Sequence, residues 1–198
     1  NPWQAMVEEV RQQANWLADA QLARKVTQRI KQELDLLPPR LSDETPTLIS
    51  FDTHPGNFLI REDGRAVLVD LEKCRYGLPG IDLAHTSLYT STTWDLSSQA
   101  VLSLNEVIGF YRRWQATMET SPDVDTLVAC RRATWLWSLT WCAQHLNAKD
   151  AQQRGEDWSA ELTDPAVIDH VRDRVEHYLS LPVIDHVHGE LQCLQASL

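Results

Sequence analysis

Two carboxylates and one carboxamide, Asp52, Asn57 and Asp70, fall in a stretch that reads L-I-S-F-D-T-H-P-G-N-F-L-I, a turn, then A-V-L-V-D-L-E-K-C and Y-G-L-P-G-I-D-L-A. Hard oxygen donors of this kind suit Mg²⁺ held against phosphate oxygens. A carboxylate left over from that pair can orient a hydroxyl for attack on phosphorus. The chemistry requires the three side chains to converge, and the local pattern supplies a way. Apolar runs at 58–60 and 66–69 flank Arg61-Glu62-Asp63-Gly64-Arg65. Asp63-Gly64 favours a hairpin, because Gly takes positive φ without a Cβ clash. Antiparallel pairing of the two runs brings Asn57 and Asp70 to one end of a ribbon. Asp52 then sits on the loop that feeds its first strand.

The D-x-x-x-x-N step followed by an apolar strand ending in Asp resembles the catalytic and metal loops of kinase-like phosphotransferases. H-P-G-N, V-D-L-E and the downstream G-x-P-x-x-D-L-A most resemble the aminoglycoside phosphotransferase and choline kinase group. The first step is shared with protein kinases; the whole set over 48–84 is more specific. The resemblance implies a protein-kinase-like fold and ATP- and Mg-dependent transfer of the γ-phosphate to a hydroxyl of a small molecule. It implies Asp52 as the catalytic base or the residue orienting the acceptor hydroxyl. It implies Asn57 and Asp70 as the Mg²⁺ and nucleotide-phosphate ligands, and Asp82 as a structural aspartate bracing the catalytic loop through backbone N–H groups.

Two departures stand out. Ser50-Phe51 occupy the place of the family's His-Gly, whose His supports the loop. The family also has an N-terminal lobe with a β-sheet, a nucleotide-facing loop and a lysine paired with a helix glutamate, and the residues before Leu48 do not read as a sheet. The expectation is a single domain over 1–198, mainly α with a small β-hairpin (α+β). It corresponds to the helical C-terminal lobe with the nucleotide lobe absent. The chain begins Asn1-Pro2 and its first methionine is Met6, which fits a piece of a longer protein, inactive alone. Ser50-Phe51 also favours a second reading, a non-catalytic kinase-like module that holds a ligand or partner. A third, a helical interaction domain, requires that Asp52, Asn57 and Asp70 stay apart.

Net charge is −10 over 198 residues. That argues against nucleic acid or an anionic membrane surface as a main partner. It suits a cationic small molecule and an ordinary acidic cytoplasmic protein equally well. Apolar residues at 43% and charged residues at 23% describe a soluble globular domain with one core. Eight Trp against three Phe point to helices packed through large flat side chains. Cys74, Cys130, Cys142 and Cys193 show no C-x-x-C pair and read as free thiols in a reducing compartment. No apolar run is long enough to span a bilayer.

Periodicity predicts helix over 2–37, capped by Asn1, with a break near Ala18-Asp19-Ala20 and a stop at Pro38-Pro39. A strand over 47–51 follows, then a short helix over 83–89 and a polar loop over 90–94. A helix over 99–117, capped by Ser97 or Ser98, puts Val101, Leu104, Ile108, Tyr111 and Trp114 on one side. The next starts at Ser121-Pro122-Asp123 and carries Trp135, Leu139, Cys142 and Leu146 in one stripe. Trp137 and Trp141 lie on another face, so this helix should be buried on two sides, its Trp residues in the core. Two more helices cover about 165–179 and 182–194, after a polar loop over 147–157. His54 and His85 read as packing residues, Glu72 as a solvated or paired group near Asp70, and His186 and His188 as surface residues. Glu156, Asp157, Trp158 and Glu161 read as a solvated loop that could otherwise offer an ammonium an acidic, aromatic surface.

Overall fold

Asn1 caps the first helix: its Oδ1 accepts the Gln4 N–H at 3.1 Å, and Pro2 fills the first helical position, where a missing N–H costs nothing. A computed structural model describes residues 1–42, 45–96, 100–147 and 165–198. The first helix, α1 (Pro2–Gln13), passes into a 3₁₀ turn at Ala14–Ala18, and α2 (Arg24–Asp35) follows. The phase change near Ala18 therefore marks a true break between two helices. The chain then makes β1 (Thr47–Ile49), β2 (Phe58–Ile60), β3 (Ala66–Leu68) and β4 (Arg75–Gly77).

The expected hairpin is present, with Phe58 opposite Leu68 and Ile60 opposite Ala66. Gly64 turns it with φ of 80°, and the Arg61 N–H donates to the Arg65 carbonyl at 2.9 Å. A second antiparallel pair, β1 with β4, has no counterpart in the sequence reading. β1 stops at Ile49 rather than 51, because Phe51 takes φ of 64° and cannot continue a ladder.

Helices complete the body: α3 (Pro79–Ser87), the single turn α4 (Tyr89–Thr92), α5 (Leu104–Thr117), α6 (Val124–Asn147), α7 (Pro165–Tyr178) and α8 (Leu181–Ser197). Several bounds differ from expectation. α3 starts at Pro79, which places Asp82 inside its first turn, and 89–92 is helical rather than loop. α5 starts at Leu104, where Ser103 and Glu106 form a reciprocal capping box. Val101 is thus outside the helix and exposed, and the buried positions of α5 are Val107 and Tyr111. The expected caps Ser97 and Ser98, the loop over 148–157 and the residues Glu156, Asp157, Trp158 and Glu161 lie outside the described residues.

α6 is the axis of the fold. Asp123 Oδ1 caps it by accepting the Thr126 N–H at 2.8 Å. Trp135, Leu136, Leu139 and Ala143 are fully buried, whereas Leu146 is exposed. α3 lies close against it: a Cβ on Gly80 would come within 3.0 Å of the Cys130 Cβ and Sγ. Two consecutive arginines of α6 anchor other helices. Arg131, fully buried, donates to Glu190 Oε1 of α8 at 2.5 Å and to the Ser87 hydroxyl of α3 at 2.9 Å. Arg132 donates to Glu33 Oε2 of α2 at 3.1 Å, and His188 Nδ1 of α8 stands 2.5 Å from Glu33 Oε1. His188 is therefore a partly buried hydrogen-bond partner of Glu33, not a surface residue. Among the described residues no helix is long and apolar enough to cross a membrane.

A buried cation whose partner is deleted keeps its desolvation penalty and loses its compensation. Glu190→Ala should lower the unfolding free energy by about 3–5 kcal/mol, measured by chemical denaturation.

Candidate functional site

The loop that carries Asp52 hangs from α3. Asp82 Oδ2 accepts the Ser50 N–H and Oδ1 the Phe51 N–H, both at 2.8 Å. The Thr53 hydroxyl donates to the Asp82 carbonyl at 2.9 Å. Burial raises the Asp82 pKa above its ordinary value, the two amide donors pull it down, and the nearby Asp52 charge adds to the effect of burial. The loop is held in an unfavourable shape: the left-handed region at Phe51 costs a Cβ-bearing residue roughly 1–2 kcal/mol.

Asp52 faces a cavity of about 290 Å³. Its Oδ2 takes the Lys73 ammonium at 2.8 Å, and its Oδ1 lies 4.0 Å from His54 Nε2. Lys73 is half exposed, so this bridge contributes little to stability. Asn57 is buried and closes the loop on itself, its Nδ2 donating to the Asp52 carbonyl at 2.9 Å. The Asn57 carbonyl accepts the Val69 N–H at 2.9 Å, which carries the hairpin ladder one step past β2. That step sets Asn57 and Asp70 at the same end of the ribbon. Asp70 is exposed, also left-handed with φ of 58°, and lines the cavity with Asp52. Two of the strained backbone positions in the chain, Phe51 and Asp70, thus sit at this one place, where strain is commonly stored for function.

The cavity lining holds two chemically distinct sets of residues. Asp52, Asp70, Glu72 and Lys73 are charged; Trp94, Trp137, Trp141 and Tyr178 are aromatic. Trp135 is fully buried in the core as expected; Trp137 and Trp141 are partly buried, pack against the core and also line the cavity. The lining also includes His85, Thr90 and Ser91, whose Nδ1, Oγ1 and Oγ atoms are buried without a hydrogen-bond partner among the described residues. Unmet buried polar atoms are rare in folded proteins and fit groups that a ligand would satisfy. Burial pushes the His85 imidazole down to about 4, against the opposing pull of the Asp52 charge.

His54 packs as expected: the Gly56 N–H donates to its Nδ1 at 3.2 Å, and the Asp95 carboxylate stands 3.4 Å from the same nitrogen. A Cβ on Gly56 would lie 1.8 Å from Asp95 Oδ2, so a side chain there would have to displace the Asp95 carboxylate. Lys73, Asp95 and the Thr90-Ser91 pair were not singled out from the sequence. Only Lys73 had a signal, its place just past the V-D-L-E strand end.

The donor set fits a hard divalent ion. The Asn57 amide nitrogen is committed to a carbonyl, so its oxygen is the end left to bind. The Asp70 carboxylate has no ion pair among the described residues. Two such oxygens match the way Mg²⁺ is bound, with water and substrate phosphates filling the remaining positions. Among the described residues no cluster of three or more His, Cys, Asp or Glu forms a self-sufficient metal cage.

Compared with known protein families, residues 2–119, more than half of the chain, match the phosphotransferase enzyme family (APH). The matched region contains Asp52, Asn57, Asp70, Lys73 and Asp82. A search of curated proteins found no match.

His85 sets a pH dependence. An unfolded chain takes up a proton on this imidazole near pH 6.5, whereas the folded chain resists it down to about 4. Its contribution is complete above pH 6.5 and is lost as pH falls through that window. Between pH 7 and pH 5 the parent should lose about 2 kcal/mol more unfolding free energy than His85→Leu, read by denaturant titration at both pH values.

Proposed function

The chain belongs to the phosphotransferase enzyme family, whose fold is kinase-like, and from that premise we propose that it is the helical lobe of an ATP-dependent kinase acting on a small-molecule hydroxyl. The observation that carries this reading is the meeting of Asp52 and Asp70 in one cavity, with the Asn57 side chain tied to the Asp52 backbone. Phosphoryl transfer asks a protein mainly for positioning and charge screening. Asp52 orients the acceptor hydroxyl and takes its proton late in the transfer. Asn57 and Asp70 hold Mg²⁺, which when bound neutralises charge on the triphosphate. Lys73 places a positive charge beside Asp52, close to where the transferred phosphoryl group carries its negative charge.

The acceptor occupies the cavity lined by the acidic and aromatic residues. Trp and Tyr faces next to carboxylates suit a body with an apolar face or an amine, through cation–π contact. His85, Thr90 and Ser91 offer its polar atoms partners. Leu48, Tyr76, Leu59 and Val67 form cross-strand pairs whose side chains are exposed. We assign these exposed pairs, one on each of the two small sheets, to contact with a nucleotide-covering lobe that would bring the phosphate-binding lysine.

A second reading, a ligand-holding module without catalysis, draws on Ser50-Phe51 and on the Ser50 hydroxyl, which is buried without a hydrogen-bond partner among the described residues. Titration of the full-length protein with ATP separates the two: the kinase binds nucleotide more tightly with Mg²⁺, and a non-catalytic module shows no such dependence. In the full-length protein Asp52→Ala should lower kcat by about 10³-fold, within the range that loss of a general acid–base group produces, with folding retained. A near-parental rate would remove Asp52 from the mechanism. The isolated 198-residue chain should show negligible turnover.

A further inference from the structure

Phe51 adopts a conformation that suits glycine, and its side chain is gripped by a closed circuit of contacts. Its ring meets Trp137 of α6 edge-on, with centroids 5.3 Å apart and planes at 85°. The Arg75 guanidinium carbon lies 3.2 Å from the ring centroid. Both of these neighbours are tied to one carboxylate. Glu9 Oε2 accepts Arg75 Nη1 at 3.0 Å, and Glu9 Oε1 accepts Trp137 Nε1 at 2.6 Å. The Met6 sulfur accepts the other Arg75 nitrogen at 3.8 Å. The circuit Glu9–Arg75–Phe51–Trp137 thus joins α1, β4, the loop and α6.

The backbone of the same residue is fixed by Asp82, which takes the Phe51 N–H. With its amide held from one side and its ring from two others, Phe51 has little freedom to rotate. The next residue in the chain is Asp52, so the direction in which Asp52 leaves the backbone depends on that grip. A glycine here would take the left-handed shape easily but would give the surrounding helices nothing to hold. Phe51 accepts backbone strain and supplies a handle.

We propose that Glu9, Arg75 and Trp137 position Asp52 through the Phe51 ring, and that this clamp does the work of the His-Gly pair that Ser50-Phe51 replaces. The proposal rests on the reading of Asp52 as the residue that orients the acceptor. Phe51 is a positioning residue: its ring lines the cavity beside Asp52, and the clamp acts on the reacting groups through Asp52.

The test compares Phe51→Gly, Phe51→Ala, Phe51→Tyr and Glu9→Gln in the full-length protein, each assayed at matched folded fraction. Displacement of a reacting group by about an ångström costs on the order of 10²-fold in rate, so Phe51→Gly and Phe51→Ala should lower kcat by about 10- to 100-fold. KM for nucleotide should stay within about twofold; acceptor KM is not diagnostic, because Phe51 also lines the cavity. Phe51→Tyr, which keeps the ring, should restore most of the rate. Glu9→Gln should give a partial loss even if the Phe51 variants fold poorly, as it keeps an acceptor for Trp137 but weakens the hold on Arg75.

The stability order is also diagnostic. Phe51→Gly should be at least as stable as Phe51→Ala, the reverse of the usual rank, because Gly relieves the strain that Ala retains. Unfolding energies of Glu9→Ala and Phe51→Ala should be non-additive when the two are combined. A kcat for Phe51→Gly within twofold of the parent overturns the proposal, and so do additive unfolding energies, whatever the turnover. A parent protein that transfers no phosphate, with the coupling intact, overturns the phosphotransfer reading instead.

Discussion

Asp82 uses the two oxygens of one carboxylate to hold two consecutive backbone N–H groups, those of Ser50 and Phe51. The rest of the site depends on that contact. The first of these residues ends the strand region and the second turns into the left-handed region, so without an acceptor for both amides the chain would relax to a cheaper path. The carboxylate can serve because it is itself fixed. It lies in the first turn of α3, and α3 is pressed onto α6 at Gly80, where a Cβ would come within 3.0 Å of Cys130. Order therefore passes from the central helix to α3, from α3 to the loop, and from the loop to Asp52.

α6 serves both packing and chemistry. Trp135, Leu136 and Leu139 fill the core, while Trp137 and Trp141 line the cavity that the acidic residues also line. A helix with a demand on each side needs to be held against rotation. Arg131 and Arg132 meet that need by pairing with Glu190 and Glu33 on two other helices. Buried pairs of this kind contribute little net stability compared with apolar packing, but deleting one member leaves an uncompensated charge. They constrain how the helices can be arranged, and the cavity walls follow from that arrangement. Cys130 and Cys142 lie in the same buried interior, and burial pushes the Cys130 thiol up to about 12.

Much of this was legible in the residues. The hairpin followed from Asp63-Gly64 between two apolar runs, and the α1–α2 break from the change of apolar phase. The bracing role of Asp82, implied by resemblance, appears as two short hydrogen bonds. Other features depend on contacts distant in sequence, which local pattern does not encode. β4 has a strand partner only because the β2–β3 hairpin and the turn after it return the chain beside β1, and nothing in R-Y-G announces a strand. His188 looked like a surface residue until α2 placed Glu33 against it. Trp137 and Trp141 were apolar by type, and only the position of Asp52 decides that they face a cavity. Phe51 is the instructive case. As a sequence departure it suggested a weakened loop, yet in three dimensions its ring is the point at which α1, β4 and α6 take hold of that loop.

The central claim is that one divalent ion is shared at the end of the hairpin. Anomalous diffraction from crystals of the full-length protein grown with Mn²⁺ and a non-hydrolysable ATP analogue tests it directly. The account predicts a Mn²⁺ peak within about 2.0–2.3 Å of Asn57 Oδ1 and an Asp70 oxygen, near the distances typical for small hard cations, with the Asp52 carboxylate facing the terminal phosphate. Nucleotide bound with its metal held by other residues, and Asn57 and Asp70 turned away from it, would contradict the account.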